Sequence, residues 1–147
     1  MLLDDGRVWW LDELECRKGF SYFMKLLNRK VFGKAADRYG KRLQVIPVVE
    51  KGLLPSSLLA SNGPVIEKET QWHYNLAIEL LPGIEAGRFQ QLVQECWSHI
   101  QWSNGCWVER AREREKWIEY ITKMRQKSVF EAWSDSIDWD CFYNQKP

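Results

Sequence analysis

His73 and Asn75 lie two residues apart in the apolar run Trp72-His73-Tyr74-Asn75-Leu76-Ala77-Ile78-Glu79. Residues two apart on a strand project to the same face, so the imidazole and the amide would point together and Tyr74 the other way. Two potential metal ligands then sit side by side. A carboxylate on a neighbouring strand would complete the group, and Glu50, closing the run Val45-Ile46-Pro47-Val48-Val49-Glu50, is the candidate. Such a set suits a hard divalent ion, Mg²⁺ or Mn²⁺. The neutral amide oxygen of Asn75 is a weaker Mn²⁺ ligand than an imidazole, so the affinity is expected to be reduced.

A second kind of chemistry follows downstream. If the segment Glu115 to Met124 is helical, Lys116, Tyr120, Lys123 and Lys127 fall at i, i+4, i+7 and i+11, a cationic stripe running through a phenol. A free phenol, with a pKa of about 10, is a poor nucleophile at neutral pH unless a cation or metal stabilises the phenolate. The stripe suits a phosphate.

The order of acid, histidine strand and then Tyr120-Ile121-Thr122-Lys123 on a helix resembles the HUH endonucleases of rolling-circle replication initiators and relaxases. In that family two histidines flank a hydrophobic residue, and a later helix carries a nucleophilic tyrosine. The resemblance covers roughly Phe20 to Asn144. It extends to the texture of Phe23-Met24-Lys25-Leu26-Leu27-Asn28-Arg29-Lys30-Val31-Phe32-Gly33-Lys34 before the acidic strand and of Arg125-Gln126-Lys127-Ser128 after the tyrosine helix. Asn75 stands where the family has its second histidine, and no hydrophobic strand precedes Phe20 where the family carries its first, threonine-ending motif.

The resemblance implies a replication initiator domain of a phage, plasmid or integrated element that binds single-stranded or hairpin DNA. Tyr120 would attack a phosphodiester to give a 5′-phosphotyrosyl intermediate, Lys123 would help position phosphate or metal, and the ion held by Glu50, His73 and Asn75 would polarise the phosphoryl oxygen. Two other readings stay open. One is a descendant that has lost catalysis and binds nucleic acid. The other is a mobile-element inhibitor that blocks a host protein, such as a nucleic-acid-guided defence complex, through its acidic segments and a leucine-bearing loop.

The elements that must position these residues can be read from periodicity. Phe20, Phe23, Met24, Leu27, Val31, Ala35 and Tyr39 repeat at three and four, which predicts one helix from Gly19 to Tyr39, stopped by Gly40. Lys25, Arg29, Lys30, Lys34 and Arg38 take its opposite and flanking faces, a candidate nucleic-acid surface joined by Lys116 and Lys127. Val45 to Glu50 reads as a strand, edge or bulged because of Pro47. Lys51 to Gln71, rich in Gly, Pro and Ser and carrying Leu53, Leu54, Leu58 and Leu59, reads as a long connection. Trp72 to Leu80 is a second strand, Glu85 to His99 a second helix, Trp107 to Ala111 a third strand, and Glu115 to Met124 a third helix.

The aromatic tail, residues 129–147, is expected to wrap the domain. This order predicts a single α+β domain with an antiparallel sheet and helices on one face, ferredoxin-like in form and similar to the HUH palm, abbreviated at its N-terminal side. The missing first strand would leave a sheet edge for Arg7-Val8-Trp9-Trp10-Leu11, the long loop or a second copy to cover.

Composition narrows the partners. At 147 residues with 14% aromatics the chain can bury a core without disulfides or metal, and Cys16, Cys96, Cys106 and Cys141 form no Cys-x-x-Cys pair, so reduced core thiols are expected. There is no apolar run of bilayer length and no basic-then-apolar leader at Met1-Leu2-Leu3-Asp4-Asp5, so a cytoplasmic location without membrane contact is expected. The formal net charge of +1 hides an asymmetry. Between Arg17 and Arg42 nine basic residues face the single acid Asp37, a local excess of +8 that leaves −7 for the rest of the chain. A basic block on a near-neutral protein points to a local polyanion, nucleic acid first among them.

Overall fold

The computed structural model describes residues 12–53, 70–103, 105–122 and 137–141. The elements are α1 (Glu13–Phe32), α2 (Lys34–Tyr39), β1 (Val45–Leu53), β2 (Thr70–Ile78), α3 (Ala86–Ser98) and α4 (Arg114–Thr122). The protein is α+β, with an antiparallel ribbon of two strands.

The first helix starts at Glu13, earlier than the apolar periodicity suggests, because Asp12 caps it: its carboxylate accepts from the backbone N–H of Glu15 at 2.8 Å. Glu13 and Glu15 in the first turn and Arg29 and Lys30 in the last both complement the helix dipole. The single helix expected from Gly19 to Tyr39 is two helices broken at Gly33, whose φ of 58° and ψ of −138° lie where only glycine sits without strain. That break interrupts the helical repeat before α2. Tyr39, placed in the apolar stripe by periodicity, is therefore 77% exposed.

β1 and β2 pair in register from Val45↔Ile78 through Leu53↔Thr70. Both strands have apolar side chains on both faces, which explains why each reads as a near-continuous hydrophobic run. Val45, Tyr74, Leu76 and Ile78 join Phe20, Phe23, Leu27 of α1 and Phe89, Leu92, Val93 of α3 in the main core. Ile46, Val48 and Ala77, on the other face, join Ile121 and Trp117 of α4 together with Ile137 in a smaller one. The expectation of helices on one face is corrected accordingly: α4 lies on the face opposite α1 and α3.

The third strand expected over Trp107 to Ala111 does not form; this stretch is irregular. The outer edge of β1 is met instead by the C-terminal segment, with a bridge at Val48↔Ile137 and a bond from the Asp138 N–H to the Pro47 carbonyl at 3.0 Å. The Pro47 carbonyl faces away from β2, so its missing N–H faces that way too and removes nothing from the β1–β2 ladder. Of the tail predicted to wrap the domain, residues 129–136 and 142–147 lie outside the described residues, as do residues 7–11 and most of the long connection. All four cysteines are free thiols, Cys16 and Cys96 buried.

α3 begins at Glu85, whose carboxylate accepts from the N–H groups of Gly87 at 2.9 Å and Arg88 at 3.0 Å, and ends at His99. Behind it Trp97 meets Phe23 edge to face at 5.3 Å and Trp102 at 5.4 Å. The Trp102 indole lies directly on Gly19, where an added Cβ would come within 2.6 Å of the ring. Alanine in place of a helical glycine normally gains up to about 1 kcal/mol. Here it must displace a rigid indole, and overpacking of that kind costs about 1–3 kcal/mol. Gly19→Ala is therefore expected to lower the urea midpoint of unfolding, whereas the same change in a Trp102→Ala background should be neutral or stabilising.

Candidate functional site

The register pairs Glu50 directly with His73, and Asn75 follows two residues along β2 on the same face. The backbone thus brings the three predicted ligand positions together, and His73 is exposed while Asn75 is half-buried. A cluster of three His, Cys, Asp or Glu side chains is absent among the described residues. Of the expected trio only His73 belongs to those types with a described side chain, the carboxylate of Glu50 lying outside them. The positions of one carboxylate, one imidazole and one amide thus share a face of the ribbon, and these donor types suit a hard divalent ion.

α4 packs on this same face. Its Trp117 Nε1 donates to the Leu76 carbonyl at 3.0 Å, Ile121 is fully buried in the cluster that holds Val48, and Trp117 stacks on Tyr120 with ring centroids 5.5 Å apart. Tyr120 itself is 64% exposed, with its ring held against Trp117. One turn earlier Lys116 is exposed and paired with Glu113. At the N-terminal end of α4 an open cleft of about 370 Å³ is lined by charges of both signs, Glu109, Arg110, Arg112, Glu113 and Lys116, with Ala111 and Trp117, and Trp107, close by in sequence, is almost fully exposed. Lys123 and Lys127 lie outside the described residues.

The basic helix divides into two sets. Lys25, Arg29, Lys30, Lys34 and Arg38 are all exposed. Arg29 pairs with Asp37 at 3.2 Å and Lys30 with Glu95 of α3 at 3.0 Å, which holds the Glu95 carboxyl below its usual range. Lys25, Lys34 and Arg38, with Lys41 and Arg42, make no ion pair with any described residue. Arg17, by contrast, is half-buried and reaches inward, pairing with both Glu13 and Asp138.

Arg17 leads to a cluster that the sequence reading missed. Asp138 is 1% exposed, accepts from the Tyr74 hydroxyl at 2.7 Å and faces the Arg17 guanidinium at 3.6 Å. Tyr74 also stacks on Phe20 at 4.0 Å. The period of two could place Tyr74 opposite His73 and Asn75, but nothing in an acidic, aromatic tail distinguished Asp138 from its exposed neighbours. Burial, followed by the bond to Asp138, pushes the Tyr74 phenol far above its ordinary range. Burial likewise pushes the Cys16 and Cys141 thiols up from 9.0 to about 12.

No family model matches the chain, and neither the curated proteins nor the solved structures contain a significant match to it.

Because the folded state keeps these protons longer than the unfolded chain, their contribution is fully present below the unfolded values and is lost as pH rises. The urea midpoint is thus expected to hold up to about pH 8.5 and to fall progressively between about pH 9 and 12. Tyr74→Phe leaves Asp138 short of a donor and should cost about 1–3 kcal/mol at pH 7 while making the alkaline decline shallower. Equal stability of parent and variant at pH 7 would show that the hydroxyl carries no share of the clamp.

Proposed function

We propose that this chain is an HUH-endonuclease-like domain that binds single-stranded or hairpin DNA and processes it through Tyr120. The observation that carries the reading is one shared face: Glu50 and His73 are opposite in register, Asn75 is beside them, and the helix bearing an exposed Tyr120 packs on that side of the ribbon. It is supported further by the excess of cations between Arg17 and Arg42.

In this reaction the Tyr120 oxygen forms a bond to phosphorus, the bond from phosphorus to the 3′-oxygen breaks, and the 3′-oxygen leaves as a hydroxyl after taking up a proton. The phenol proton passes to solvent. One phosphodiester replaces another, so no external energy source is needed. Lys116, one turn before Tyr120, supplies positive potential near the phenol. Held at the Glu50, His73 and Asn75 positions, Mg²⁺ or Mn²⁺ would act as a Lewis acid on the phosphoryl oxygen.

Two measurements test the reading. Incubated with labelled single-stranded oligonucleotides and Mn²⁺, the parent is expected to form a covalent adduct that survives a denaturing gel, and Tyr120→Phe, which preserves ring packing, to form none. An adduct undiminished in Tyr120→Phe would exclude this nucleophile. A parent that binds DNA and gives no adduct would leave the non-catalytic binder in its place. Asn75→His supplies a nitrogen ligand and should tighten Mn²⁺ binding in calorimetry by about tenfold. An unchanged affinity in a folded variant would remove Asn75 from the ion's surroundings.

A further inference from the structure

On α1, Lys18, Tyr22, Lys25 and Arg29 follow one another at i, i+4, i+7 and i+11. They form a single stripe, diametrically opposite the buried Phe20, Phe23 and Leu27. The Arg29–Asp37 ion pair sets α2 beside this stripe and brings the exposed Lys34 and Arg38 to its C-terminal end. Charge and shape agree on the partner. The surface is a convex rod, α1 being 20 residues long and hence roughly 30 Å. It carries Lys18, paired with Glu15, Lys25, and Arg29, paired with Asp37, at fixed intervals, with Tyr22 half-exposed among them. Proteins that take single strands offer concave grooves with stacking platforms, whereas lysine, arginine and tyrosine hydroxyls on a rigid helix fit the regular phosphates of a duplex.

The location of this surface is informative. α1 buries its apolar side against the Tyr74 face of the ribbon, while the Glu50, His73 and Asn75 positions and α4 occupy the other face. A helix about 10 Å thick and the ribbon beneath it separate the stripe from His73 by roughly 15–20 Å, about five base-pair steps of duplex. We infer that the α1–α2 surface grips the backbone of double-stranded DNA on the side of the molecule remote from His73, so that only an unpaired arm leading off that duplex reaches Tyr120. The duplex grip stands on the basic surface alone, and the arm's destination rests on the function proposed above.

Anisotropy titrations in EDTA, where no cleavage occurs, test both parts with a blunt hairpin duplex of arbitrary sequence and with the same stem bearing a two- or ten-nucleotide unpaired arm on either end. The parent is expected to bind the blunt stem with steep salt dependence. The triple variant Lys25→Gln, Lys34→Gln, Arg38→Gln should bind it at least about tenfold more weakly, with a log–log salt slope smaller by roughly 2 to 3, as loss of three phosphate contacts requires. All three side chains are exposed, and an unchanged thermal midpoint would establish that the variant is folded. The ten-nucleotide arm should tighten binding and the two-nucleotide arm should not, and Tyr120→Ala should erase the gain of the long arm while leaving the blunt stem's affinity intact. Equal binding of the blunt stem by parent and triple variant, or a full gain from two nucleotides, would overturn the inference. If stem and arm behave as expected but no oligonucleotide forms an adduct with Mn²⁺, the catalytic reading fails and the two-sided grip stands.

Discussion

Asp138 is the group on which the arrangement of this domain turns. A carboxylate removed from water is tolerated only where partners replace its hydration, and here the partners come from two elements. The Tyr74 hydroxyl belongs to β2, the Arg17 guanidinium to α1, and the Asp138 backbone is itself tied to Pro47 of β1. Leaving a buried acceptor of this kind short of a partner costs about 1–3 kcal/mol, a sizeable share of the stability of a small domain. The cluster therefore selects one way of seating the ribbon on α1. With Tyr74 drawn inward by both the stack on Phe20 and the bond to Asp138, the alternation of the strand leaves His73 and Asn75 no choice of face.

A two-stranded ribbon is marginal by itself in water and needs packing partners. This one is covered on one face by α1 and α3 and on the other by α4, with Ile137 closing beside Val48. The consequence for function is direct. The element that must cover the second face for stability is also the one that carries Tyr120, and the Trp117 indole fixes it with a hydrogen bond to the Leu76 carbonyl as well as by burial. Ring stacking on Trp117 then limits the directions in which the Tyr120 phenol can extend. Placement of the candidate nucleophile is thus a by-product of covering the sheet.

Much of this was legible in residue order, and the gaps have physical causes. The apolar stripe of α1, the α3 stripe of Phe89, Leu92, Val93 and Cys96, and the pairing of the Val45 and Trp72 runs all follow from periodicity, because burial acts on every residue in them. The break at Gly33 was invisible to periodicity: the apolar spacing continues across it, and only a backbone angle records it. The capping role of Asp12 was hidden by the acids around it. Trp107 to Ala111 has strand-like composition, yet Trp107 is exposed and its neighbours carry charge, so no apolar face drives it into the sheet. For the site, the shared face of Glu50, His73 and Asn75 was readable because strand alternation is local. The partners of Tyr74 were not, since Asp138 lies 64 residues away in the chain and only tertiary structure joins them.

The separation of the basic surface from the His73 face is itself a consequence of the helix period. A helix that buries one stripe against a sheet must present its polar stripe away from that sheet, and the cations of α1 are therefore directed away from the ribbon whatever their number. A site built on the ribbon's inner face would have been sealed by Phe20 and Tyr74. Only the outer face remained for an exposed imidazole and an exposed tyrosine. Long-range attraction from the +8 block still reaches that face weakly, since roughly 15–20 Å exceeds the Debye length of about 8 Å at physiological salt. In the function proposed, charge on α1 would concentrate and hold a polyanion, whereas charge developing at Tyr120 would have to be met by groups on its own face, among which Lys116 is described and exposed.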